Sequence, residues 1–207
     1  MKYDKFNLYL ESVLLKSENH TGKSINLETR YTMGVENPDD YKKYNLPQSF
    51  FDVYTMGDGM EMKWRYEANP EYCGGLDFMN MKNFLSSNSV YGESDIERED
   101  LLEFFYTFDM VTPETECGFM ITPEETYKSI YYKSGQYVYR LELDFVGYIT
   151  MLYHSKAYQN WPSIILSLIN NEETELMQDF KKCMTELDDN FSWENYVKTF
   201  NDLRLDK

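Results

Sequence analysis

LPQSFFDVYTMGDGMEMKW, residues 46–64, sets a helical period directly before a strand period. Pro47 suits the first turn of a helix, where its missing N–H costs nothing. Phe50, Phe51 and Tyr54 follow at spacings that give one apolar helix face. Gly57-Asp58-Gly59 then ends the helix and reverses the chain. Beyond it Met60, Met62, Trp64 and Tyr66 alternate with Glu61, Lys63 and Arg65, a period of two that predicts a strand with one buried face. Phe50, Tyr54 and Trp64 are expected in the core.

Outward from this stretch, Cys73-Gly74-Gly75 reads as a turn and Leu76–Met79 as a short strand leaving through Met81–Leu85. Gly118–Ile121, Tyr127–Tyr132 and Tyr137–Leu143 read as three strands, the last two joined by a Ser134-Gly135 hairpin turn. Asp144 is a good N-cap for a helix running to about His154, with Phe145, Tyr148, Ile149 and Leu152 on one side. Trp161-Pro162 starts another helix through Leu168. Glu173–Leu187 and Ser192–Leu203 close the chain as acidic amphipathic helices. On the N-terminal side, Tyr3–Leu15 fits a strand or a helix, Arg30–Glu36 could add a strand, and Asp39 could cap a short turn. Strands precede helices along the chain, which predicts an α+β fold with a largely antiparallel sheet, residues 1–207 forming one domain.

The 207 residues are 42% hydrophobic and 17% aromatic, enough for a sizeable core, and 19 of them are tyrosines. The formal net charge is −16. A nucleic-acid backbone or an anionic membrane surface would be repelled, and a cationic protein surface attracted. Cys73, Cys117 and Cys183 are scattered and odd in number, which suits thiols in a reducing compartment. The first residues lack the pattern of a signal peptide, and Ile164-Ile165-Leu166 is too short to span a bilayer. A cytoplasmic protein is expected.

Little in the chain points to catalysis. The two histidines, His20 and His154, have no Ser or Cys pattern around them, and neither lies close in sequence to a cysteine as a zinc site would require. Gly57-Asp58-Gly59 and Gly74-Gly75 match no phosphate-loop pattern. No metal, cofactor or catalytic residue is assigned. The most unusual segment is acidic. Residues 93–116 hold nine carboxylates against Arg98 alone, a charge of −8 beside Phe104, Phe105, Tyr106 and Phe108. Glu93, Asp95, Glu97, Glu99, Asp100, Glu103, Glu114 and Glu116 are therefore the candidate partner-binding residues.

Leu46-Pro47, the aromatic helix of Phe50 and Tyr54, the Asp58-Gly59 turn, and a strand carrying Trp64 together resemble the signature of the SUKH superfamily, the group of cell-wall assembly regulator-like and bacterial immunity proteins. Gly74-Gly75 before an apolar strand, Phe108-Asp109, the strands at 117–143 and Asp144-Phe145 resemble its later elements. The resemblance covers about residues 40–165 and leaves a helical C-terminal extension, 170–207, outside it. It implies a central mixed, mainly antiparallel sheet with flanking helices, and a non-enzymatic immunity protein that binds and neutralises a cognate toxin, for example a nuclease with a basic surface. The alternative is an intracellular scaffold or regulatory adaptor that binds a basic protein partner.

Overall fold

The computed structural model describes residues 25–31, 38–55, 57–87 and 103–205. They form an α+β fold built on one seven-stranded sheet in sequential order, β1 to β7, with every pairing antiparallel. The strands are β1 (Ile25–Tyr31), β2 (Met60–Tyr66), β3 (Cys73–Phe78), β4 (Phe105–Thr112), β5 (Thr115–Ile121), β6 (Thr126–Ser134) and β7 (Tyr137–Arg140). A 3-10 turn, Pro38–Tyr44, and helix α1 (Gln48–Tyr54) lie between β1 and β2, and α2 (Met81–Ser86) follows β3. After β7 come α3 (Phe145–His154), α4 (Trp161–Asn170), α5 (Glu175–Leu187) and α6 (Trp193–Leu203). Tyr3–Leu15 lies outside the described residues.

Local chemistry sets most boundaries. Asn80, Asp144, Thr174 and Ser192 each accept a backbone N–H three residues on, capping α2, α3, α5 and α6. Gly135 takes a left-handed conformation (φ +57°) in the β6–β7 turn. Beyond β7 the left-handed Glu142 lets Leu141 and Leu143 both keep bonds to Ile130 after the regular ladder has ended.

Phe50 of α1 has no exposure and stacks on Tyr54, with the rings of Phe84, Phe108, Phe119 and Phe145 all within about 6 Å. Helices α1, α2 and α3 thus meet strands β4 and β5 in one aromatic knot. Trp64 is 2% exposed and donates from Nε1 to the Lys156 carbonyl at 2.7 Å. The core runs without a break from Ile25 to Phe200, where Phe180 packs on Tyr158, Phe191, Trp193 and Tyr196.

One local expectation needs correction. Cys73-Gly74-Gly75 begins β3 and is not a turn. The tight 155–160 segment bonds along it: Gly75 N–H donates to the Ala157 carbonyl at 2.7 Å, and Gln159 N–H to that of Cys73 at 3.0 Å. A Cβ on Gly74 would stand 2.1 Å from the Ala157 oxygen, so this glycine serves a close approach of two backbones. Of the strand expected at Arg30–Glu36, Arg30 and Tyr31 end β1, and residues 32–36 lie outside the described residues. Phe105–Thr112, entered from the charged segment, is a strand that alternation does not reveal.

Candidate functional site

Strands β3 and β4 part company almost as soon as they meet. Their register holds at a single pair, Phe78↔Asp109, with Met79 N–H donating to the Phe108 carbonyl at 2.9 Å. The cause lies in β4. Thr107 faces Gly118 and Asp109 faces Cys117, so Phe108 is an extra residue and the strand bulges. The bulge turns both Phe108 and Asp109 inward. The Asp109 carboxylate then takes over from the ladder: one oxygen accepts Asp77 N–H at 3.0 Å and the other accepts the Tyr148 hydroxyl at 2.6 Å. One buried side chain thereby ties β3, β4 and α3 together.

Beyond that tie the strands enclose a cleft of about 480 Å³, lined by Lys63, Gly75, Asp77, Met110, Val111, Pro113 and Gln159 among others, a size within the range of ligand and side-chain pockets. The cleft is bordered, through Gln159, by the strap between α3 and α4. Lys156, Ala157 and Asn160 in it all have positive φ (51°, 51° and 61°), a concentration of left-handed non-glycine residues that the surrounding contacts must hold. Those contacts are the bonds to β3, the Trp64 indole, a Cys73 thiol to Gln159 bond of 2.9 Å, and the ion pair of buried Lys156 with Asp188 at 3.0 Å.

Burial raises the Asp109 carboxyl to about 6 despite its two hydrogen bonds. Asp77, half-buried at the cleft, is also raised, first by desolvation and then by Glu61, which sits directly opposite it across β2–β3. Among the described residues, no group of three His, Cys, Asp or Glu side chains could hold a metal ion.

Of the acidic candidates, Glu93, Asp95, Glu97, Glu99 and Asp100 lie outside the described residues. Glu103 and Glu114 are exposed at opposite ends of β4, whose eight residues span about 26 Å. Glu116 lies on the face of β5 opposite Cys117 and Phe119. It accepts Lys133 Nζ at 3.0 Å and the Thr107 hydroxyl at 2.5 Å, and both charged side chains are largely covered, 9% and 14% exposed. Asp58 accepts Met81 N–H at 2.6 Å, tying the turn before β2 to the start of α2. His154 is exposed at the end of α3. Sequence reasoning missed Asp77 and Asp109. The signal for Asp109 was a lone carboxylate inside the apolar run FFYTFDMV, residues 104–111.

No protein-family model, curated protein or solved structure matches this chain. No helix among the described residues is long and apolar enough to cross a membrane.

Proposed function

We propose that this chain is a non-enzymatic immunity-type protein of SUKH-like build, which neutralises a cognate protein toxin by covering a basic active-site surface. Charge carries the reading: −16 overall, with Glu103 and Glu114 exposed at the ends of β4, and with exposed carboxylates that include Glu172 and Glu173 between α4 and α5, and Glu175, Asp179 and Glu186 on α5. Such a surface attracts a cationic partner from a distance and opposes nucleic acid. The order of aromatic helix, Asp58-Gly59 turn, Trp64 strand, Gly-led strand and Asp144-capped helix supports the same family reading.

The test is to mix the purified protein with the product of the neighbouring toxin-like gene. A complex at low salt, loss of the toxin's activity within it, and association that slows as salt rises are expected. Absence of a complex at low salt overturns the proposal. The adaptor reading draws on a different observation: Tyr127, Tyr137 and Tyr139 are 42–53% exposed on the β6–β7 side of the sheet, and exposed tyrosines suit protein contacts of many kinds. A pulldown that recovers housekeeping complexes and no toxin would favour it.

A further inference from the structure

We propose that the cleft between β3 and β4 seats the guanidinium of an arginine presented by a protein partner, with the Asp77 carboxylate as its counter-charge. The proposal rests on the reading of this chain as a binder of basic proteins and names where the contact is made.

Among the described residues Asp77 is the one carboxylate lining the 480 Å³ cleft, and it also lines the neighbouring hollow around Asp58 and Asn80. Its own N–H is taken by Asp109, yet among the described residues no hydrogen bond or ion pair reaches its carboxylate. Across β2 it faces Glu61. Like charges directly opposite in a sheet are unfavourable, and this pair is only half neutralised from within. Glu61 is ion-paired with Lys63 and with Arg30, the latter at 3.6 Å, whereas Asp77 feels Lys63 only at longer range, without an ion pair. A local conflict of this kind, beside a bulge and a strap of left-handed residues, is where a fold reserves a group for something outside itself.

The walls favour arginine over lysine. Met110, Val111 and Pro113 offer an apolar face to the aliphatic stem, and a carboxylate meets a guanidinium through two parallel hydrogen bonds. Guanidinium is also less strongly hydrated than ammonium, so it loses less on entering a partly covered site. Lys63 is the competing cation at the mouth, held by Glu61 and 65% exposed.

The proposal is tested by amide NMR of the full chain at low salt, titrated with acetyl-Gly-Arg-Gly-amide and, separately, with its Lys counterpart. The Arg peptide is expected to shift the amides of Gly75, Asp77, Met110 and Thr112, and to bind several-fold more tightly than the Lys peptide. Asp77→Asn should weaken it at least tenfold, Lys63→Met should strengthen it, and Glu124→Gln, an exposed control away from the cleft, should leave it unchanged. Shifts scattered over the acidic surface, or equal affinity for Asp77→Asn and the parent, would overturn the assignment. The toxin-like partner separates the two readings. If it binds the parent and Asp77→Asn equally well, the cleft assignment falls and the immunity reading stands. If it fails to bind at all while the Arg peptide still titrates into the cleft and loses tenfold with Asp77→Asn, the cleft stands and the immunity reading falls.

Discussion

Replacing Asp109 by Asn should remove a specific piece of pH dependence from folding. In the native protein its carboxyl titrates at about 6, because burial disfavours the charged form more than the Tyr148 and Asp77 hydrogen bonds favour it. In the unfolded chain it returns to about 3.8, the ordinary aspartate value. Between these values the folded state holds the proton more often than the unfolded state, so stability falls as pH rises through the window. The difference of about 2.2 pH units corresponds to roughly 3 kcal/mol, present in full below about pH 3.8 and lost above about pH 6. Asn keeps an oxygen to accept Asp77 N–H and does not titrate. Urea unfolding of both proteins from pH 4 to 7 therefore has a defined expectation: the parent gains about 2.4 kcal/mol relative to Asp109→Asn as pH falls. Taking the difference cancels contributions common to both chains, including the easing of self-repulsion as other carboxylates protonate and the same-direction shift of Asp77. Parallel stability curves for the two proteins would refute the assignment of Asp109 as a buried, desolvated carboxyl.

Three further perturbations probe the frame around it. Gly74→Ala forces a Cβ to within 2.1 Å of the Ala157 oxygen and 2.6 Å of the Trp64 indole nitrogen, and should cost on the order of 3 kcal/mol, seen as a loss of about 10 °C in Tm. Phe50→Ala opens a cavity among five neighbouring rings, with an expected loss of about 4 kcal/mol in denaturant unfolding. Lys133→Met strands the Glu116 carboxylate beside Thr107 and should cost about 3 kcal/mol, whereas the Lys133→Met, Glu116→Leu double variant should recover most of it; equal losses in the two would refute the pairing argument.

Where structure follows from neighbours along the chain, the sequence was readable. The alternation from Met60 to Tyr66, the Ser134-Gly135 turn, and the Asp144 and Ser192 caps are all local devices, and each forms its element. Reading failed where a distant segment decides. Cys73-Gly74-Gly75 has turn composition, yet it pairs with Lys63–Arg65 of β2 and is bonded on its other edge by the segment around Ala157 and Gln159, more than eighty residues on. In β4 the alternation is hidden twice: Phe105 and Phe108 are both fully buried, and the bulge shifts the phase between Thr107 and Asp109. The cleft was illegible for the same reason. Asp77 and Asp109 are 32 residues apart, and only the bulge brings them together.

The structure also changes how the acidic segment should be counted. Residues 93–116 carry −8 on paper, but Asp109 is buried in the sheet and Glu116 is already matched by Lys133. A matched internal pair adds nothing to the net charge and little to the field a distant partner feels, whereas an exposed carboxylate contributes fully at low salt. Stability and association should therefore separate cleanly. The Lys133→Met, Glu116→Leu double variant leaves the chain at −16 and should associate with a basic partner at the parent's rate. Glu114→Lys, on the exposed β4–β5 turn, changes the charge by two units and should slow association several-fold at low salt while leaving unfolding nearly unchanged. Stopped-flow association across a salt series distinguishes them. If the double variant slowed binding as much as Glu114→Lys, Glu116 would belong to the contact surface after all, and its bond to Lys133 would have to open when the partner arrives.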